Sequence, residues 1–444
     1  MKRHIVIIAL FAVLPLSAQV SLSLDTCLQL AQKNNLELRN SQLDIEKAEL
    51  VKKQALTKYF PQISAQAFGY YAFSPLVKVE TKDVINSIDD EQARTQLSDI
   101  YDRYGEDLGL QTLFSFFKYG YSAGATAVQP LFVGGQIVNG NRLARLGVEA
   151  AELRSDISKR DLELQVEQTY WLLVGLNAKQ QTMNTVSALL DTLSLDVEAA
   201  FNAGLVTQSD RLQIELKKSE QQMRQMQLDD ALLLARQALN QLIGLPMQTE
   251  FKLTDTIGDL QPLPAQEINV ATTPEAKLLE LNIKANKLER DIAIGKALPQ
   301  LMVGATYGYH NLMLDHGRAN GMVFATLQIP LTQWWETAYK IKETNLAVQQ
   351  ADYQQKYMTE QLQLKQMQTW QQLHQAQQNY KIAQANIDDA RENMRLMQIN
   401  YRAGLCSLSE LLQAQSLFEQ ALSQQTDAQI NYRLNLRRYN STLH

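Results

Sequence analysis

The chain of 444 residues has only two cysteines, ten prolines and a formal net charge of -5. Two cysteines exclude a disulfide scaffold. The acidic balance argues against a nucleic-acid binder driven by bulk charge. An apolar fraction of 45% excludes disorder. Beyond the first residues, no stretch reaches the ~18 to 20 apolar residues of a membrane helix. If the mature chain enters a membrane, it must do so as a closed β-barrel. Enzyme signatures are missing too: no Gly-rich phosphate loop, no nucleophile elbow and no zinc-protease helix motif. Of the five histidines, His310 and His316 share a loop reading with Asp315, but nothing else supplies a metal-ligand spacing. The expectation is no catalytic residue, no metal and no cofactor. His374 reads as a solvated helix residue, and the pairs Asp229-Asp230 and Asp388-Asp389 as solvated helical acids.

Glutamine, in contrast, is abundant, at about one residue in nine, and dense after Gln349. Gln is a good helix former with an uncharged polar head, which suits long polar-faced helices. At the start, Lys2 and Arg3 precede an apolar run from Ile5 to Leu16, and Ser17-Ala18 follows. That is a secretory signal peptide over 1–18, cleaved after Ala18. Its removal leaves 40 basic against 47 acidic residues and a mature charge of -7. Cys27 lies too far from the cleavage site for lipid attachment, and it reads as a free helical thiol.

Internal repetition organises the rest. Phe201-Asn202-Ala203-Gly204-Leu205 through Gln213 recurs as Tyr401-Arg402-Ala403-Gly404-Leu405 through Gln413, offset by 200 residues. The same offset relates Pro130-Leu131 to Pro330-Leu331, and Pro61-Gln62-Ile63 is echoed by Pro299-Gln300-Leu301. These echoes mark a duplicated unit rather than a solenoid of short repeats. Within each copy, periodicity changes in a fixed order. Helical spacing near 25–58 gives way to strands near 62–73 and 119–132, then a long helix near 135–204 and another near 207–243. The second copy has a helix near 274–297, strands near 300–310 and 321–331, a long helix near 335–402 and a helix near 407–440.

Each long helix would measure on the order of 100 Å. Leu373, Ala376, Tyr380, Ala383 and Ile387, continuing to Tyr401, keep strict 3-4 spacing, as do Leu411, Ala414, Phe418 and Ala421. A sustained heptad pattern means coiled-coil packing. Gly204 and Gly404 stand where helices reverse, in the left-handed position that ends a helix. Thr207 and Ser407, or the hydroxyl two places on, can cap the helices that follow, with Asp210 and Glu410 in their first turns.

Strands of ~9 to 11 residues have the length of tilted transmembrane strands. Four strands are too few for a barrel, since the smallest use ~8, so several chains must pool them or the sheet is soluble. Aromatic clusters at Phe68, Tyr70, Tyr71 and Phe73, at Phe114 to Tyr121, and at Tyr307 and Tyr309 suit an interfacial girdle, though a soluble core would also be aromatic. The charged stretch from about Leu76 to Thr112 reads as a long exposed loop, as does His310 to Asn320.

The element order, Gln129-Pro130-Leu131-Phe132 with Gly134-Gly135, and the paired Gly-containing helix turns resemble the TolC-like outer membrane efflux proteins, over nearly the whole mature chain. The resemblance implies a mainly α fold with a small β part, built from a duplicated helix-strand-strand-long helix-helix unit. It implies a homotrimer with a twelve-stranded transmembrane β-barrel on a long α-helical coiled-coil barrel. Its parts would be a first repeat over 19–245, an equatorial linker over 246–273 and a second repeat over 274–444. The place would be the outer membrane of a Gram-negative bacterium, among its lipids, with the helices in the periplasm. The function would be a passive exit duct of a tripartite efflux or type I secretion system, docked to a periplasmic adaptor and an inner-membrane transporter, with no nucleic-acid partner.

In that family, turns like those at Gly204 and Gly404 form a periplasmic tip that closes like an iris. Tyr401 matches the family's tyrosine, Cys406 stands where the basic residue is usual, Glu410 matches the first constricting acid and Gln413 replaces the second. Asp210 matches the acid facing that tyrosine, so a Tyr401–Asp210 hydrogen bond is expected while the accompanying salt bridge is not. Three copies of Glu410 would form an acidic ring. As a residue alone, Glu410 reads equally as a first-turn acid supporting the helix dipole. A periplasmic coiled-coil scaffold with a small soluble sheet and no pore is the alternative function. A general diffusion porin would need strands to dominate, and here helices do.

Overall fold

The computed structural model describes residues 20–75, 77–105, 107–116, 118–258, 260–311, 317–331 and 334–443. The signal segment, His4, His316 and His444 lie outside the described residues. Element order follows the duplicated plan, with some additions. The first repeat runs β1 (Val20–Leu22), α1 (Leu24–Asn34), α2 (Leu36–Thr57), β2 (Gln62–Tyr71), β3 (Val77–Glu80), α3 (Thr81–Asn86), α4 (Glu91–Tyr104), β4 (Thr112–Phe116), β5 (Tyr119–Phe132), α5 (Gln136–Asn202) and α6 (Gln208–Ile243). After β6 (Phe251–Leu253) come α7 (Pro274–Lys296), β7 (Gln300–Asn311), β8 (Arg318–Gln328), α8 (Trp334–Arg402) and α9 (Leu408–Leu443). No helix among the described residues is long and apolar enough to cross a membrane.

Two expectations need correction, and one strand pair is an addition. The helix expected over 25–58 is broken at Asn35, whose extended backbone ends α1. Asn35 then restarts the chain, accepting from the amides of Glu37 and Leu38 through its side-chain oxygen. The stretch 76–112 is not a loop: it holds β3, α3, α4 and the start of β4, with β3 and β4 paired antiparallel. Asp90 is the reason α4 starts where it does, since its carboxylate accepts from the amides of Gln92 and Ala93. Lastly, the first strand β1 pairs in parallel with β6 in the linker, which no alternation in three-residue segments could reveal.

The chain divides into two compact units that cut across the repeats. One comprises the chain up to Lys47, Val148–Asn282 and Ala351 onward; the other comprises Ala48–Gly147 and Ile283–Gln350. The first is helical. Its core includes Val186, Leu190, Val197 and Ile214 of α5 and α6 with Met394, Leu408, Leu411 and Leu412 of α8 and α9. The heptad seam read from α8 is buried at Leu373, Ala376, Ala383, Ile387 and Met394, so 3-4 spacing located the packed face correctly. Around β1, Tyr170 donates to the Leu22 carbonyl and to Asp255, which also accepts from the Leu24 amide. The linker is strapped down near α9: Tyr432 donates to the Gln261 carbonyl, and Tyr439 to those of Ala265 and Glu267.

The second unit holds a four-stranded antiparallel sheet in the order β2-β5-β7-β8. Its register sets Ser64 opposite Thr126, Thr126 opposite Thr306 and Thr306 opposite Met322. Because strand side chains alternate, this register sorts the sheet into two faces. One carries Ile63, Ala125, Ala305, Tyr307, Val323 and Leu327 and their like, with only Gln129 and Asn311 polar. The other carries Gln62, Ser64, Gln66, Ser122, Thr126, Thr306, His310, Arg318 and Asn320, together with Phe68, Met322 and Phe324. Alternation thus divides the aromatics expected to cluster. Tyr71, Tyr119, Tyr121, Tyr307 and Tyr309 lie on the apolar face at one end, whereas Phe68 and Tyr70 stack on the polar face at 5.9 Å. His310 is likewise no loop residue; it sits in β7 between Ser122 and Arg318.

Candidate functional site

Both helix reversals are built by the same local chemistry. At Gly204 and Gly404 the backbone turns left-handed, with φ of 76° and 71°. In each, a six-residue bond closes the turn: Leu205 N–H to the Ala200 carbonyl, and Leu405 N–H to the Asn400 carbonyl. The next helix opens with a reciprocal cap. Thr207 Oγ accepts from the Asp210 amide, while Asp210 Oδ2 accepts from the Thr207 amide at 2.9 Å and hydroxyl at 2.7 Å. Ser407 and Glu410 repeat this, with Glu410 Oε2 accepting from the Ser407 amide at 2.7 Å and hydroxyl at 2.9 Å. Those bonds hold both acids below the ordinary carboxylate range: chiefly the Thr207 hydroxyl for Asp210, and the Ser407 amide for Glu410.

The two turns then differ. In the first, Arg211 pairs with Glu198 at 2.9 Å and lies over the Phe201 ring. The equivalents 200 residues on are Leu411 and Gln398. Leu411 is 1% exposed, buried with Leu408 and Leu412, so the second turn is anchored by apolar packing where the first is tied by charge. One bond crosses between repeats close to the turns, from Gln213 to the Ser409 hydroxyl at 2.7 Å.

Between the four helix ends lies a cavity of about 620 Å³, lined by Asp196 and Asp210, Tyr401, Cys406 and apolar residues such as Leu193 and Leu408. Asp210 and Tyr401 therefore face the same space. The hydrogen bond expected between them is not formed; Asp210 instead accepts from Thr207 through Oδ2. Tyr401 is pushed up by burial first and then by the charges of Asp210 and Asp196. Cys406 donates to the Met397 carbonyl at 3.5 Å, and burial with nearby Glu410 raises its thiol. Both cysteines are free, and Cys27, deeply buried, is pushed up to about 12. Glu410 and Gln413 are exposed on the first turns of α9. Leu205 and Leu405 project at the turns, 79% and 76% exposed.

Sequence reading missed one charged cluster. Arg437 of α9 bridges Glu163 and Glu167 of α5, each at 2.8 Å, and Gln32 donates to Glu163. Isolated charges on helices separated by hundreds of residues carry no local signal. A second aromatic group was also missed: Phe60, Trp334, Trp335 and Tyr339 flank the ends of β2 and β8, with Trp335 79% exposed. Among the described residues, no group of His, Cys, Asp and Glu could hold a metal ion.

The family model described as outer membrane efflux protein matches residues 27–245 and 274–439. No curated protein matches. Among solved structures, the Campylobacter jejuni CmeC outer membrane channel is 14% identical with a TM-score of 0.77, covering 95% of this chain and 85% of its own. The Vibrio cholerae outer membrane protein VceC is 14% identical with a TM-score of 0.73, covering 95% and 96%. The open-state Neisseria gonorrhoeae MtrE outer membrane channel is 15% identical with a TM-score of 0.75, covering 95% and 88%.

Proposed function

The chain belongs to the outer membrane efflux protein family, and we propose that three copies of it assemble into the exit duct of a tripartite efflux or type I secretion system. It is an outer membrane efflux protein. The observation that carries the trimeric reading is the sheet. Among the described residues its edge strands β2 and β8 have no partner on one side, and most of its apolar face is exposed. An open apolar sheet with two free edges is an aggregation hazard in water. Edge-to-edge closure by three copies makes a twelve-stranded barrel with the apolar face toward lipid and the polar face toward the lumen.

In this duct the repeats are units of 19–245 and 274–444 joined by the linker 246–273, after loss of a signal peptide over 1–18. The turns at Gly204 and Gly404 form its periplasmic tip, with Glu410 and Gln413 at the constriction and Tyr401, Asp210 and Cys406 beside it. Exposed Leu205 and Leu405 suit an adaptor's contact, and an inner-membrane transporter supplies the substrate. The duct does no chemistry of its own and needs no cofactor.

Two measurements test this. The protein should fractionate with the outer membrane and run as a heat-labile trimer in mild detergent; recovery as a soluble monomer would return the scaffold alternative. Single-channel recording of Glu410→Ala should show weaker cation selectivity, and unchanged selectivity would remove Glu410 from the constriction.

A further inference from the structure

The four strands of the sheet contain no aspartate or glutamate, and their only charged or titratable side chains outside tyrosine are His310 and Arg318. Register brings these two side by side. His310 stands directly opposite Arg318 on one flank and opposite Ser122 on the other. All three project on the polar face, at the end of the sheet away from the long helices. Ser122 Oγ lies 2.8 Å from His310 Nδ1, which fixes the ring's orientation. A Cβ at Gly308 would stand 3.3 Å from His310 Nε2 and 2.8 Å from the Ala123 carbonyl, so glycine leaves the ring its space. Lys118 stands one residue before β5, where its carbonyl accepts from the Ala72 amide. Arg318 has no ion-pair partner among the described residues; Asp315, three places earlier in sequence, lies outside them.

We infer that this end of the polar face is an anion-binding belt, which takes multivalent phosphates, sulfates or carboxylates at the outer mouth of the duct. The inference rests on the trimeric reading, under which three copies of Arg318 and His310 line one height of the lumen, with Lys118 four residues before Ser122 in the chain. A basic belt with no acid in the strands concentrates anions and excludes cations locally. A guanidinium's planar fork of donors binds such groups in preference to simple halides. The belt would have the opposite sign to the acids at the helix turns, so anions would meet it only from the outer side.

Hexacyanoferrate(II) is the probe, added to either side of single channels in neutral phosphatidylcholine bilayers at low salt. Wild-type channels should be blocked from the outer side only. Arg318→Ala should raise the half-blocking concentration about tenfold, while Arg318→Lys should retain most of the block. Raising ionic strength should weaken the block. If Arg318 instead reaches a lipid headgroup phosphate, which phosphatidylcholine also carries, wild-type channels will show no block, which overturns the belt. Equal block from both sides, or equal block of wild type and Arg318→Ala, also overturns it. Channels that form with those results leave the duct standing without the belt. Failure to form heat-labile trimers or channels removes both.

Discussion

Asp210 and Glu410 each spend one carboxylate oxygen on the cap of their own helix. The single side chain thus starts a helix and places an acid at a turn. Thr207→Ala should cost about 1 kcal/mol, read as a shift in the urea midpoint of helical signal. The pH dependence follows from the direction of the shifts. Both acids titrate below their ordinary values of 3.8 and 4.5 in the folded protein. The stabilisation is therefore complete above the ordinary values and lost as pH falls through the depressed ones. The difference between wild type and Thr207→Ala should be full near about pH 7 and shrink by about pH 3. An undiminished difference in acid would show that the hydroxyl caps alone. Farther along α5, fully buried Tyr170 holds the Leu22 carbonyl and Asp255. Tyr170→Phe leaves that carboxylate short of a donor, and about 2 kcal/mol should be lost in the same measurement.

At the scale of elements, most helices follow from their sequence, and their ends follow from particular residues. The 69 residues of α8 contain no proline or glycine, and its heptad seam names its buried face. Asn35 breaks a pattern that reads as continuous, because its side chain satisfies the amides of a new helix start. The junction of strand and helix in the second unit rests on close backbone approach. Gly134, at φ 62°, and Gly295 lie so near that a Cβ on either would collide with the other's carbonyl. Gly295→Ala should therefore cost about 2 kcal/mol by overpacking, visible as a lowered midpoint and less trimer. Aromatic placement is testable as well. Trp335 is exposed beside the end of β8 and suits a membrane interface. Brominated lipids should quench tryptophan emission of the reconstituted protein, and Trp335→Phe should lose a large share of that quenching. Equal quenching in the variant would place Trp335 away from lipid.

For the molecule as a whole, the repeats and the compact units are different divisions. Duplication runs along the chain, while each unit takes segments from both copies. What joins the copies in the helical unit is partly ionic: Arg437 with Glu163 and Glu167, Lys179 with Asp427, and Arg224 with Glu419. Arg437→Met strands two carboxylates against each other, one of which burial already pushes upward. It should lower stability by about 2 kcal/mol, the cost of a broken pair discounted for its partial exposure. Adding Glu163→Gln and Glu167→Gln should recover part of that loss. No recovery would mean that packing of the Arg437 stem carries the effect.

Periodicity and repetition were enough to reveal the long helices, the strand pairs, the glycine turns and the buried seam. These depend on spacing within one segment, and local patterns record local forces. The excursion after β2 escaped notice because its charges suggest an exposed loop, although α4 sets Ala93, Leu97, Ile100, Tyr101 and Tyr104 at helical spacing and buries none of them. The β1–β6 pair, the strapping of the linker by Tyr432 and Tyr439, and the Arg437 cluster escaped for another reason. Each joins residues more than a hundred positions apart through single side chains or three-residue strands. The small stock of charge and cysteine told which classes to set aside. Only register across the sheet decided which strand residues share a face, because a slip of one residue would exchange the apolar face for the polar one.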